Sequence, residues 1–180
     1  MKWLAVVLSG LVPACALAAG TLDPASIAGV YKFAHDTRDF TDSPPGIVRS
    51  EDVLEIVKIS PREAYIRTRL LFDNGHSCAT SGIARVEGGA LVYHQPITEY
   101  HGQQAMPGMC ALSLSLSGGR LVFADRDGKC KWDNCGMRGS YDGASFELNS
   151  RRPIRYMARL KASREYAQAL KEHDARKGAP

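Results

Sequence analysis

Residues 110–124 read Cys-Ala-Leu-Ser-Leu-Ser-Leu-Ser-Gly-Gly-Arg-Leu-Val-Phe-Ala. Leu112, Leu114 and Leu116 alternate with Ser113, Ser115 and Ser117. Successive side chains of a strand point to opposite faces, so this period of two describes a strand with one buried and one wet face. Gly118-Gly119 supplies the positive φ angles that a two-residue hairpin turn needs. Leu121 and Phe123 then continue the alternation on the way back. One antiparallel hairpin is specified here by side-chain pattern and turn chemistry together.

The same grammar extends outward in both directions. Asn74-Gly75, Gly88-Gly89, Asp127-Gly128 and Asp142-Gly143 are further turn units, and short β-rich runs lie between them. The expected strands cover residues 28–34, 52–59, 64–72, 77–86, 90–95, 110–116 and 120–124, with a hairpin of 137–141 and 144–148. Residues 153–160 alternate Ile154, Tyr156, Ala158 and Leu160 with Arg155, Met157 and Arg159, which reads as a last strand. The period then changes. Ser163 can cap a helix running to about His173, with Tyr166, Ala167 and Leu170 at helical spacing. Glu165 near its start and Lys171 and His173 near its end suit the helix dipole. The fold class is therefore mainly β: an antiparallel meander of about eight or nine strands forming a barrel, with a C-terminal α-helix. Closure removes the exposed edges of such a sheet. A two-sheet sandwich is the alternative. Two long connections interrupt the pattern, residues 35–50 and 96–109, and long loops in a small domain are often functional.

The chain begins with Lys2 followed by an apolar run to Val12, then small residues at Ala16 and Ala18. This pattern predicts a signal peptide over residues 1–19, too short to span a bilayer. One domain is expected over 20–175, with a disordered tail over 176–180 and a secreted or periplasmic location. Cys15 after Val12-Pro13-Ala14 offers a second reading, a lipidated lipoprotein N-terminus. Of the five cysteines, Cys78, Cys110, Cys130 and Cys135 lie beyond this leader. Four cysteines in an oxidising compartment predict two disulfides with three possible pairings. Proximity in sequence favours Cys130–Cys135 and Cys78–Cys110.

The formal net charge of +4 is too weak to imply a nucleic-acid partner. It is unevenly spread: Arg151, Arg152, Arg155, Arg159, Lys161 and Arg164 occur with no acid among them. If the strand faces bearing Arg155 and Arg159, and Arg67 and Arg69, adjoin, a basic surface results. It would suit peripheral contact with an anionic envelope surface, an acidic polysaccharide or an acidic protein.

Gly29-Val30-Tyr31 as a first strand, followed by a meander and a terminal helix, resembles the lipocalin-like small barrels. Lipocalins usually carry a tryptophan where this chain has Tyr31. The segment 130–143, with Cys135-Gly136 before a short strand, resembles small cysteine-bearing β domains of bacterial envelope proteins, including lysozyme-inhibitor-like ones. The resemblance implies a barrel scaffold and a binding role, and it transfers no functional site.

Three groups of residues could carry chemistry. Cys130-Lys131-Trp132-Asp133-Asn134-Cys135 would present Trp132 on a stapled loop beside Lys131 and Asp133, a pre-ordered interface anchor. His94, His101, Met106 and Met109, with Glu99 between them, could converge on copper or zinc. Gly75-His76-Ser77-Cys78-Ala79 imitates a nucleophile elbow, but that motif needs a helix after the serine, and a strand is expected here. No spacing marks an acid/base pair, and no glycine-rich phosphate loop or Cys-x-x-Cys unit points to a cofactor. The expectation is a non-enzymatic envelope binding protein for a protein partner or small ligand. Trp132, Lys131, Asp133, Arg155 and Arg159 would make the contact. The alternative is a metal-handling protein using the His/Met loop.

Overall fold

The Leu/Ser segment forms one strand and its return forms the next, with Leu112, Leu114, Leu121 and Phe123 buried. A computed structural model describes residues 22–41, 43–97 and 108–177. The segment 1–19 expected to be a signal peptide, with Cys15, and the loop residues Glu99, His101 and Met106, lie outside the described residues. The strands are β1 (Gly29–Asp39), β2 (Gly46–Ser60), β3 (Glu63–Leu71), β4 (Ser77–Glu87), β5 (Ala90–Pro96), β6 (Met109–Ser117), β7 (Arg120–Ala124) and β8 (Ser145–Glu147). They form one eight-stranded antiparallel sheet in chain order. Helices α1 (Pro24–Ile27), α2 (Lys129–Asn134), α3 (Met157–Lys161) and α4 (Arg164–Lys177) complete the structure.

The sheet curls into a nearly closed barrel. Its seam is one antiparallel bridge: Val30 N–H donates to Arg152 O at 2.8 Å, and Arg152 N–H to Val30 O at 2.9 Å. Tyr31 and Phe146 approach across it with ring centroids 6.5 Å apart. An eight-stranded barrel is just wide enough for side chains to fill. Leu54, Ile56, Ile66, Leu91, Leu112 and Phe123 do this. A second apolar cluster lies on the outer wall, where Val57, Tyr65 and Ile83 meet Leu160, Tyr166 and Ala169 of α3 and α4. Tyr65 and Tyr166 pack edge to face at 4.7 Å.

The expected C-terminal helix is present, and Ser163 Oγ accepts from Tyr166 N–H at 3.2 Å. The helix runs past His173 to Lys177, so Arg176 and Lys177 belong to it and not to a tail. Glu63 at the start of β3 fastens this end. Its carboxylate meets His173 Nε2 at 3.0 Å, Arg85 Nε at 3.1 Å and Lys177 Nζ at 3.7 Å. The hydrogen bond from His173 holds the Glu63 carboxyl below its ordinary value of 4.5, against the opposing effect of burial.

Three expected elements differ. Residues 153–160 are not a strand. Pro153 has no N–H to continue the ladder after Arg152, and α3 follows. Residues 137–141 form no strand, so only β8 survives from that hairpin. The connection expected over 35–50 is mostly ladder, because β1 and β2 pair without interruption from Gly29↔Ile56 to Asp39↔Gly46.

The disulfides are Cys78–Cys135 and Cys110–Cys130, which corrects both expected pairs. Cys78 lies on β4 and Cys110 on β6, strands that are not neighbours in the sheet, and the strand beside Cys78 is the Cys135 segment and not β6. Cys130 is in α2 and Cys135 ends it. Five residues along a helix turn through about 500°, which aims the two thiols at different faces. Trypsin cleavage at Lys131 should accordingly release, without reductant, one cross-linked peptide pair containing Cys110 and Cys130 and another containing Cys78 and Cys135. A single fragment joining Cys130 to Cys135 would refute this pairing.

Glu63 also makes a pH signature. A carboxyl held low in the folded state contributes stability above its ordinary value, and loses it as pH falls through the folded value. Glu63→Gln should lower the melting temperature at neutral pH. The wild-type and variant curves should converge as pH falls through the lowered folded value. An equal gap at all pH values would exclude this linkage.

Candidate functional site

In β3, Ala64, Ile66, Thr68 and Leu70 face the interior, so Arg67 and Arg69 face outward. Register places Arg67 opposite Glu55 of β2. Arg67 donates to that carboxylate through both Nε and Nη2, the latter at 3.0 Å to Oε1. Such bidentate pairs are directional as well as strong. Tyr156 Oη donates to the same carboxylate. Glu55 is only 2 % exposed, so these donors are what make its burial tolerable. Burial first, and then the bond to Glu55, push the Tyr156 phenol up to about 12. The Arg159 guanidinium lies 5.1 Å over the Tyr156 ring.

Helix α4 packs on this wall through Tyr166 and Ala169. A groove of about 1240 Å³ separates its Arg164, Glu165, Gln168 and Glu172 from Glu55, Arg67 and Arg69 of the barrel. Arg69 and Arg164 form no ion pair among the described residues, and both are exposed. The groove continues to a split in the barrel. The β4–β5 ladder runs only from Ala84↔Tyr93 to Glu87↔Ala90. Beyond it the strands part, and Thr68, Thr80, Tyr93, Gln95 and Asn134 reach the groove. Gln95 Oε1 accepts from Asn134 Nδ2 at 3.1 Å and from Tyr93 Oη at 3.4 Å. Burial raises the Tyr93 phenol above its ordinary value. Deeper in, the Tyr141 hydroxyl is buried without a hydrogen-bond partner among the described residues.

Helix α2 plugs the split. The Asp125 carboxylate caps it, accepting from Cys130 N–H at 3.1 Å and Lys131 N–H at 2.9 Å. Cys135 bridges Cys78, and Gly136 N–H donates to Ser77 O at 2.8 Å, so this segment takes the place β5 has vacated beside β4.

No family model, curated protein or solved structure matches the chain.

The sequence-predicted residues are distributed as follows. Trp132 is 52 % exposed on α2, a stapled helix and not the expected small disulfide loop. Lys131 and Asp133 are half-buried on the same helix. Arg155 precedes α3 and Arg159 lies within it, so they share no strand face. Arg159 lies over the Tyr156 ring, whose hydroxyl bonds the same Glu55 carboxylate that Arg67 holds, so these residues are linked through an acid and not through two adjoining strand faces. Arg155 makes no described contact there. His94 Nε2 pairs with Glu87 at 3.0 Å, and Met109 starts the neighbouring strand. Among the described residues no three His, Cys, Asp or Glu side chains gather as a metal set. Ser77 enters β4 with no helix after it, and Cys78 is in a disulfide, so no nucleophile elbow forms.

Sequence reasoning missed Glu55, Tyr93, Gln95 and Asn134. The signal for Glu55 was present: an acid inside the apolar run Val53-Leu54-Glu55-Ile56-Val57. Tyr93 owes its position to Gly82, where an added Cβ would lie 2.1 Å from its Cε2. Gly82→Ala should therefore cost about 1–3 kcal/mol in chemical denaturation, the range for overpacking. Combined with Tyr93→Leu, the loss should be smaller than the sum of the two. Strict additivity would mean that the ring does not depend on the glycine.

Proposed function

We propose that this is a secreted or periplasmic, non-enzymatic binding protein that holds a small polar ligand with an anionic group between α4 and the barrel wall. The observation that carries the reading is the groove itself. Arg69 and Arg164 line it and are exposed, with no carboxylate in salt-bridge range among the described residues. Tyr93, Gln95 and Asn134, joined by hydrogen bonds at Gln95, add hydroxyl and amide groups to the same lining. A concavity with a few fixed polar groups is the usual form of a small-molecule site. Two disulfides fit an oxidising compartment. The lipocalin-like resemblance agrees with a scaffold that binds without catalysing.

A second reading, a protein partner docking on α2, is favoured by the exposure of Trp132 at 52 % and Met137 at 86 % on the stapled segment. A rigid exposed tryptophan is a typical hot-spot residue.

Native mass spectrometry of protein recovered from a bacterial periplasm distinguishes the two. The groove reading expects a bound mass that disappears in Ala79→Trp, which fills the groove from the exposed face of β4, and diminishes in Arg69→Ala and Arg164→Ala. A bare wild-type mass, or an adduct indifferent to all three changes, would overturn it. The α2 reading instead expects a captured protein that Trp132→Ala releases with the melting temperature nearly unchanged.

A further inference from the structure

Strand β1 stands at one end of the sheet order and has a free edge. Val30 gives both its backbone groups to Arg152, away from β2. Strand period then sends Lys32, Ala34, Asp36 and Arg38 the same way. Two further bonds fit this assignment: Arg38 N–H donates to Asp73 Oδ1 and Phe40 N–H to Asn74 Oδ1, each at 2.7 Å. Between these closures, the backbone groups of Lys32, Ala34 and Asp36 have no partner outside the β1–β2 ladder among the described residues. All three residues are exposed.

The free stretch is symmetric in length and in charge about Ala34. We infer that two copies of the chain join edge to edge through β1, antiparallel about a two-fold axis at Ala34. This inference is independent of the ligand groove. The pairing sets Ala34 against Ala34 of the partner subunit, and Lys32 against Asp36 of the partner subunit. Each such pair exchanges both backbone bonds, giving about six in all. Opposite charges directly across a ladder attract. An edge strand is commonly guarded by charged side chains. Here Lys32 and Asp36 guard against most strands but complement their own two-fold image. Each also pairs within its own chain, Lys32 with Glu51 at 2.5 Å and Asp36 with Arg49 at 2.9 Å, but both side chains are about half-exposed or more and can be shared across the edge. On the other face, Phe33 is 50 % exposed and stacked on His35 at 5.4 Å. The same register places it against His35 of the partner subunit. A closed two-fold contact of this kind ends at the dimer and does not propagate into fibres.

Sedimentation equilibrium of the mature protein over a wide concentration range tests this. The expected result is a reversible dimer. Ala34→Pro should give a monomer with a near-native melting temperature, because it removes an outward N–H that bonds nothing within the chain. Lys32→Glu should weaken the dimer severalfold, and Lys32→Glu with Asp36→Lys should restore it. The intrachain pairs to Glu51 and Arg49 are lost in that double variant, so recovery reports the cross-chain pair. A wild-type monomer throughout overturns the inference. So does a dimer indifferent to Ala34→Pro, which would use another surface. A heterologous protein added as a strand on this edge, with no self-association, also overturns it.

Discussion

The two disulfides that hold α2 against β4 and β6 are the constraint on which the remaining architecture depends. Where β4 and β5 part, the sheet would expose unpaired backbone and an open interior. Cys135–Gly136 takes up the β4 edge through the Cys78 bridge and the Ser77 carbonyl. Cys110–Cys130 fixes the other end of the plug to β6. Covalent attachment does here what a hydrophobic face would do for a longer helix. A six-residue helix is far too short to be stable by itself in water.

The outer wall follows a different rule. It carries charge at depth, and the charge is tolerated because each buried group has its partners. Glu55 is met by Arg67 and Tyr156, and Glu63 by His173, Arg85 and Lys177. Both carboxylates face the C-terminal segment. They therefore help set how α3 and α4 lie on the barrel, beside which the groove opens. Removing one partner would leave a buried charge uncompensated, which costs far more than a surface pair is worth.

The sequence was most legible where one face was buried and the other wet. Leu112, Leu114, Leu121 and Phe123 fell where their alternation put them, and Gly118-Gly119 made the turn. Legibility failed where that contrast disappears. The outer part of β1 and β2 buries polar side chains, Thr37 against Ser50, and no apolar row, so residues such as Asp36, Thr37, Arg38 and Arg49 carry no apolar period and read as loop. In 153–160 the even positions satisfy a strand period, yet Tyr156 and Leu160 are also four apart and share a helix face. Pro153 decided between these readings. The cysteine pairing failed because nearness in sequence was taken for nearness in space, and α2 rotates Cys130 away from Cys135. Of the site, Arg67, Arg69 and Arg159 were visible as a potential basic surface. Tyr93, Gln95 and Asn134 were not, because only the separation of β4 from β5 brings them together.

The order of the disulfides along the chain has a consequence for biogenesis. The Cys110–Cys130 loop is nested inside the Cys78–Cys135 loop. A chain that crosses a membrane N-terminus first delivers Cys78, then Cys110, Cys130 and Cys135. An oxidant that joins thiols in order of arrival would make Cys78–Cys110 and Cys130–Cys135, and neither is native. Correct maturation therefore requires either that β5 is laid between β4 and β6 before oxidation, or that mispaired thiols are exchanged afterwards. Rapid oxidation of the unfolded chain without an exchanging thiol should collect the sequential isomer, making the native yield a sensitive gauge of the disulfide-exchange activity present during oxidation.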